Sequence, residues 1–557
     1  MFNKYPEKRI DRRSKLQTDR SHVRNAGQDP GILRGKIKKN DTEPLDAVYT
    51  LNDLKLHQYD INTIAQNDSF KTLCDVVGAD CPKYSTSVLL NSLSTVLSMN
   101  LPPNLYIVQS LQTEVIWRMR RMTYKQLIFV LRFHLNQQRS NLESSVVKNV
   151  IEIIERRWVE IESLKEAAAL FVMMGNFSKD FVGKLENRSM ELMETSGSDD
   201  ISKLFASLSE IKHRPVPLLR SMAFYLMKQK EKLSVKQATS VLCAMNSLRF
   251  PDSALLGRLS NDLVLEIDQV EKASVIGAIL TNLGQIRWKH AGLMKCLTEW
   301  IVKNMDKCQP QHLTSYLITA ANLNYSPTDV SIFDKISAKL TEKSVTVPEV
   351  WLDVVYSLVI KNKAKPFHLV SVLKPEFSKA ITSPHTKIKL ATVRSFSKFE
   401  HPNYKHPLTS INDLTVVKPK EVTLNNSAVL ATLQNFIPTD RFMKCNKIAL
   451  DCIPIEAEFI VDSNGKSLPI ADYKEILDKN SPLPHGTFKV ALLVRHFRDY
   501  LMNSQELTGG NALSNKLLEK LNYRVIEVPY SEFVAASTTL KKVQYLKSLI
   551  TTSIFNK

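Results

Sequence analysis

The chain has 557 residues, more than one hydrophobic core organises, so two or three packed units are expected. Hydrophobic residues make up 43%, enough to fill such cores, and 75 lysines and arginines against 56 acidic residues leave a net charge of +19. That balance draws the protein toward polyanions and leaves RNA, DNA and anionic membrane surfaces open. No apolar run reaches the ~18 residues a spanning helix needs, because charge breaks each one, as Arg132 and His134 break Leu127 to Leu135.

Residues 1–55 form a basic amino-terminal arm; the first forty carry twelve Lys or Arg and four Asp or Glu. An organelle import segment has this composition, and so does an arm that adds nonspecific attraction to phosphate. Glu7, Asp11, Asp19 and Asp29 are unusual in an import segment. The seven cysteines, Cys74, Cys81, Cys243, Cys296, Cys308, Cys445 and Cys452, include no Cys-x-x-Cys pair. They read as reduced thiols of an intracellular compartment, with no metal site and no cofactor expected.

Residues 56–274 begin a repeat. The segments LFVMMGNF, LFASLSEI, VLCAMNSL, ILTNLGQI and YLITAANL end at Phe177, Ile211, Leu248, Ile286 and Leu323, which are 34, 37, 38 and 37 positions apart. VVYSLVIK places Ile360 another 37 on, and weaker copies end near Leu101 and Leu135. Apolar residues at i, i+1, i+4 and i+7 give each segment one buried helical face. A polar or proline-marked turn follows, SLRFPDS or LNYSPTD, and then a second amphipathic stretch such as ALLGRLSNDLVLEI. Each repeat is a helical hairpin that buries its apolar face only against a neighbour, so the fold class is mainly α, an α-solenoid of ~37-residue hairpins. Stacked hairpins bind RNA and protein alike, and the architecture does not choose between them.

Within the repeats, VIWRMRRMTYKQ sets Arg118, Arg120, Arg121 and Lys125 around Trp117 and Tyr124, a mixture able to clamp phosphates and stack on bases. The competing reading makes the aromatics core and the basic residues a solvated face.

Residues 400 to 420, rich in Pro, Asn and Thr, read as a connector. Beyond it the period changes to two. KIALDCIPIEAEFIVD reads as extended chain, Ser463 to Gly465 as a hairpin turn and KSLPIADY as the partner strand. A strand FKVALLVR, a helix NALSNKLLEKLN, a strand YRVIEVPY and a helix TLKKVQYLKSLI complete a small mixed sheet flanked by helices.

The run KVALLVRHF, then ALSNKLLEKLNYRVIEVPYSEF, then YLKSLI, resembles the RAP domain, with Asn522-Tyr523 where the domain usually has Gly-Tyr and Phe533 where it has Trp. EVIWRMRRMTYKQLIF, IERRWVEIE, VPLLRSMAFYLM, VLKPEF and EAEFIVDSNGKSLPI extend the resemblance to the FAST kinase domain-containing family over most of the chain. It implies FAST kinase-like regions at 275–345 and 350–437, the second including the connector, and an α/β domain at 440–557 with RAP at about 488–546. That family's repeats are called heptatricopeptide repeats, in keeping with the spacing above.

The resemblance implies a protein of the mitochondrial matrix that binds single-stranded mitochondrial RNA and regulates processing and stability of mitochondrial mRNAs. Other RNA-granule proteins are implied as partners, and DNA is not. Kinase chemistry finds no support in the residues: a glycine-rich phosphate loop, a strand lysine, an HRD-type aspartate and a DFG-type ligand are all missing. The RAP unit also resembles a reduced PD-(D/E)XK nuclease fold. That makes a metal-dependent endoribonuclease the alternative, with Glu458 and Asp462 as its candidate carboxylates and Arg495, His496 and Arg498 as candidate RNA contacts. The strand VALLVRHF lacks the carboxylate followed two places later by lysine that this site needs, so no catalytic residue is assigned with weight.

Overall fold

The computed structural model describes residues 68–99, 101–135, 141–400, 420–437, 439–473 and 483–555. The basic arm of residues 1–55 and the connector at 401–419 lie outside the described residues. The chain divides into two compact units between Tyr225 and Leu226.

In the first unit lie α1 (Asp68–Asp80), α2 (Thr86–Ser98), α3 (Tyr106–Arg118), α4 (Tyr124–His134), α5 (Asn141–Arg156), α6 (Leu164–Val172), α7 (Lys179–Leu192) and α8 (Ser198–Glu210); α9 (Val216–Lys228) carries the boundary. Helices pack on their alternates, α2 on α4, α4 on α6 and α6 on α8 in one row, α1 on α3 and α3 on α5 in the other. The expected hairpins therefore stack, and the leucines and valines of the periodic stripe are the core between rows. Local sequence sets where first-row helices start. Thr123 with Gln126, Ser163 with Glu166 and, in the second unit, Ser234 with Gln237 each close a capping box.

The second unit continues with α10 (Val235–Ser247), α11 (Ser253–Glu266), α12 (Ala273–Ile286), α13 (Ala291–Lys303), α14 (Pro310–Asn322), α15 (Ser331–Lys339), α16 (Pro348–Ile360), α17 (Pro366–Leu373), α18 (Pro375–Ala380) and α19 (Pro384–Glu400). Its first row is α10, α12, α14, α16 and α19, each packed on the next. First-row helices end alike: Lys212, Arg249, Arg287, Asn324 and Asn362 all adopt positive φ, between 47° and 64°. The amide after each reaches back to close the helix, as Trp288 does to Leu283 and Tyr325 to Ala320. These residues recur every 37 or 38 positions, so the repeat is an identity of backbone conformation as well as of apolar pattern.

The carboxy-terminal domain opens with α20 (Lys420–Gln434) and α21 (Thr439–Phe442), followed by strands β1 (Met443–Ala449), β2 (Ile453–Asp462), β3 (Ser467–Leu468) and β4 (Thr487–Arg495). It ends with α22 (Gly509–Lys520), β5 (Tyr523–Pro529), α23 (Tyr530–Ala535) and α24 (Thr539–Phe555). The sheet order is β1-β2-β4-β5 with β3 beside β2; β4 and β5 run parallel across the α22 crossover and the other pairs are antiparallel. The stretch KIALDCIPIEAEFIVD is two strands where the sequence reads as one, because Leu450 and Asp451 both take positive φ, 53° and 60°, and reverse the chain. Asn522 leaves α22 at φ 62°, the left-handed exit that its place before Tyr523 predicts, and Phe533 is buried in the core. Val429, Leu433, Phe459, Val490, Ile526, Leu546 and Ile550 join α20 and α24 to one sheet face, while α22 takes the other.

Candidate nucleic-acid interface

Trp117 is 80% exposed, at the end of α3. Its indole meets no partner among the described residues, whereas Trp288, Trp300 and Trp351 each donate their N–H to an oxygen. Tyr106, 55% exposed, lies eleven residues earlier on α3, three turns along the same face at 100° per residue. Arg120 and Arg121 follow Trp117 closely and Lys125 opens α4; all three are exposed, and Lys125 reaches only Glu166, at 3.7 Å. This strip offers flat π faces and cations to solvent, the ingredients of a platform for unpaired nucleotides.

Two of the residues grouped there by sequence sit elsewhere. Tyr124 is buried and donates its hydroxyl to the Ile154 carbonyl at 3.2 Å; desolvation pushes its phenol well above the usual range. Arg118 donates to Glu114 at 2.5 Å and to the carbonyls of Tyr84 and Pro82 at 2.5 and 2.7 Å, one repeat back. Arg157 does the same toward Met122 at 2.9 Å, and Arg258 caps four carbonyls between Leu226 and Glu231. These arginines satisfy the orphan carbonyls at the end of the preceding hairpin, so they staple repeats together.

A uniformly basic wall is not what the first row presents over α10, α12 and α14. Counting back from each left-handed residue, the exposed or half-buried positions include Ser247, Gln285 and Asn322, then Cys243, Thr281 and Ile318, then Ser240, Ala278 and Ser315, with Lys236, Ser274 and Gln311 exposed near the helix starts. Neighbouring first-row helices approach closely where glycine is present: a Cβ on Gly277 would lie 3.1 Å from the His312 ring, and one on Gly284 2.8 Å from Thr319 Oγ1. Asn246 donates to Asn282 at 2.8 Å, and Asn322 to the Gly284 carbonyl at 2.7 Å, which leaves a ladder of amides and hydroxyls rather than charges. Cations flank it at the helix ends, where Arg249 and Arg287 stand.

In the carboxy-terminal domain the candidates separate. Arg495 is buried, bound to Glu527 at 2.9 Å, Asn515 at 2.5 Å and Asn511 at 3.3 Å, and ties the ends of β4 and β5 to α22. His496 pairs through Nε2 with Asn426 at 2.8 Å and stacks on Tyr530. Arg498 alone of the three is exposed.

Glu458 is wholly buried: Lys447 Nζ donates to both of its oxygens at 2.9 Å and the Tyr523 hydroxyl at 2.6 Å, with Lys489 at 3.9 Å. Asp462 instead accepts the amides of Asn464 and Lys466, both at 2.8 Å, and builds the β2–β3 turn. Four residues along a strand separate the two carboxyls by about 13 Å, too far to ligate one ion. Glu458 and Asp462 are thus not brought together, and ammonium groups occupy the oxygens of Glu458. Burial lowers the basicity of Lys489 against the pull of Glu458.

Arg287 carries no direct sign of its role in the sequence. Its Nη1 donates to the carbonyls of Phe497 and Tyr500, both at 2.8 Å, its own carbonyl accepts from Met502 at 2.9 Å, and its guanidinium lies 5.0 Å from the centre of the Phe497 ring. Position was the available signal, since Arg287 stands one residue past a repeat segment. Helix α22 packs on α14, α16 and α19, and its Gly509-Gly510 start makes the approach possible: a Cβ on Gly509 would overlap the Ala321 carbonyl oxygen and one on Gly510 would lie 2.8 Å from the Tyr356 hydroxyl.

Stacked helical hairpins ending in this mixed sheet place the chain in a definite class. Three family profiles match it: RNA-editing substrate-binding complex 6 protein over residues 66–328, FAST kinase-like protein subdomain 1 over 313–382, and the RAP domain over 493–549. Residues 313–382 thus carry a FAST kinase-like subdomain and residues 493–549 a RAP domain. It is similar to FAST kinase domain-containing protein 4 of Rattus norvegicus, 23% identical over 499 residues that cover 87% of this chain and 79% of that one. FAST kinase domain-containing protein 3, mitochondrial, of Homo sapiens is 20% identical over 513 residues, 87% and 75% of the two chains. FAST kinase domain-containing protein 2, mitochondrial, of Homo sapiens is 22% identical over 476 residues, 83% and 65%. Among the described residues no helix is long and apolar enough to cross a membrane.

Proposed function

We propose that this chain binds single-stranded RNA in mitochondria and regulates the processing and stability of mitochondrial mRNAs by occupying them. The observation that carries the reading is the open strip of Trp117, Arg120 and Arg121, where a large aromatic stands in water beside uncommitted cations. The match to an RNA-editing substrate-binding family along the repeats, the RAP domain and relatives named mitochondrial all support it. In this reading the strip supplies stacking and phosphate contacts while the neutral ladder of α10, α12 and α14 faces base edges, as helical-repeat RNA readers do with one base per repeat. The compartment proposed is the matrix, with other RNA-granule proteins as companions on the same transcripts.

The test is fluorescence anisotropy with single-stranded and duplex RNA across a range of KCl. Wild type should prefer the single strand and lose affinity steeply with salt. Trp117→Ala together with Arg120→Glu and Arg121→Glu should weaken binding at least tenfold, since base stacking alone contributes about 1–3 kcal/mol. Unchanged binding by the triple variant would remove the strip from the reading.

A further inference from the structure

The seam between the RAP unit and the repeats gathers more cations than carboxylates. Arg287 fastens the 497–500 loop to the end of α12, and Lys289, two residues on, pairs with Glu506 at 2.5 Å. Lys361 is half-buried just past the end of α16, where the side chain of Ile360 meets the Gly509 start of α22; it feels the charges of Lys289 and of Lys516 on α22, and among the described residues no carboxylate pairs with it. Burial and those two ammonium groups bring its pKa down to about 8. Arg287 is likewise made less basic by burial and by exposed Arg498.

The nearby carboxylates are committed. Glu506 serves Lys289, and Asp499 accepts the His496 amide at 2.8 Å and the Asn511 side chain at 3.2 Å. Glu506 offsets Lys289 alone, so holding Lys361 half-buried in the field of further ammonium groups costs free energy that a bound anion would recover. Beside Arg287, Phe497 is 67% exposed although the guanidinium stacks on it, so an open ring borders the arginine end of the seam.

We propose that this seam is a phosphate-binding site for the backbone of single-stranded RNA, built jointly by α12, α16 and α22, with Phe497 as the stacking surface for an adjoining base. It rests on the RNA-binding reading and assigns the RAP domain a part in it: the domain completes the site by bringing Lys516, Phe497 and Arg498 to the helix ends.

The experiment uses full-length protein, a fluorescent oligouridylate and a KCl series. Lys361→Gln with Lys516→Gln should weaken binding several-fold and flatten the slope of log K against log salt by roughly 1.4, about 0.7 for each phosphate no longer neutralised. Lys466→Gln with Lys541→Gln removes the same charge from exposed positions elsewhere in the domain and should leave the slope near wild type. The seam variant should also melt higher than wild type without RNA, which separates weaker binding from failed folding. Seam and control variants that bind alike overturn the site while leaving RNA binding in place. Inorganic phosphate that raises the melting temperature of wild type alone, with RNA affinity unmoved by the seam substitutions, overturns the RNA assignment in favour of free phosphate. A wild type that ignores single-stranded RNA overturns the functional reading and the seam with it.

Discussion

Lys361 shows how one residue ties stability to ligand. Its proton is held in the unfolded chain up to about pH 10.5, whereas the fold releases it near 8. Between those values the unfolded state binds more protons, so stability rises with pH; below 8 the penalty is constant. Buried thiols pull the other way, since burial raises Cys243 and Cys452 above the usual thiol value and an unfolded thiolate is favoured as the solution becomes basic. The comparison that isolates the lysine is Lys361→Gln against wild type. The variant should melt higher near neutrality, and the difference should shrink as pH is raised from about 7 to about 10. A difference independent of pH would mean that the ammonium is not strained in the fold. At this scale the sequence is a partial guide. Tyr124 could be placed in the core from its spacing to Leu127, Ile128 and Leu131. Arg118 could not be separated from Arg120 and Arg121, because what distinguishes it is a set of carbonyls 34 to 37 residues away, delivered only by stacking.

Elements were more legible than residues because periodicity is local and packing partners are not. The hairpin spacing, the mixed sheet and the exit at Asn522 all follow from patterns within a few turns of chain. The Leu450-Asp451 turn is not legible in the sequence because it uses left-handed conformations without the Asn-Gly pair that usually announces them. Equally hidden was the docking of α22 on α14 and α16. In sequence Gly509-Gly510 marks only a loop, whereas in the fold it is the place where two backbones touch. Gly509→Ala should therefore be far more damaging than an exposed helix-start alanine, destabilising by at least about 2 kcal/mol, typical of an overpacked core position. Limited proteolysis would detect it as new cleavage between residues 497 and 509, where the loop held by Arg287 would come free. A Gly509→Ala protein as resistant to protease as wild type would show that α22 does not depend on that close approach.

For the molecule as a whole, the excess of cations is divided among different tasks. Arg118, Arg157 and Arg258 hold hairpins together, Arg495 and Lys447 are spent inside the RAP sheet, and only the remainder faces solvent for a polyanion. Net charge read from composition thus signals the kind of partner but not its address. The address proposed for RNA is discontinuous, an aromatic and basic strip on α3 and α4 and a cationic seam at α12, α16 and α22, with the neutral ladder of α10, α12 and α14 beside the seam. Hydrogen exchange with and without a single-stranded RNA gives each place its own signature. Protection should appear in peptides covering 117–125, 285–289 and 496–508, where backbone amides lie at helix ends and loops that exchange readily in the free protein. Amides in the middle of β2 and β4, already bonded within the sheet around Glu458, should not change. The opposite pattern, with RNA protecting the β1–β2 hairpin near Lys447 and leaving the helix ends untouched, would move the binding surface to the sheet and overturn this division of charge.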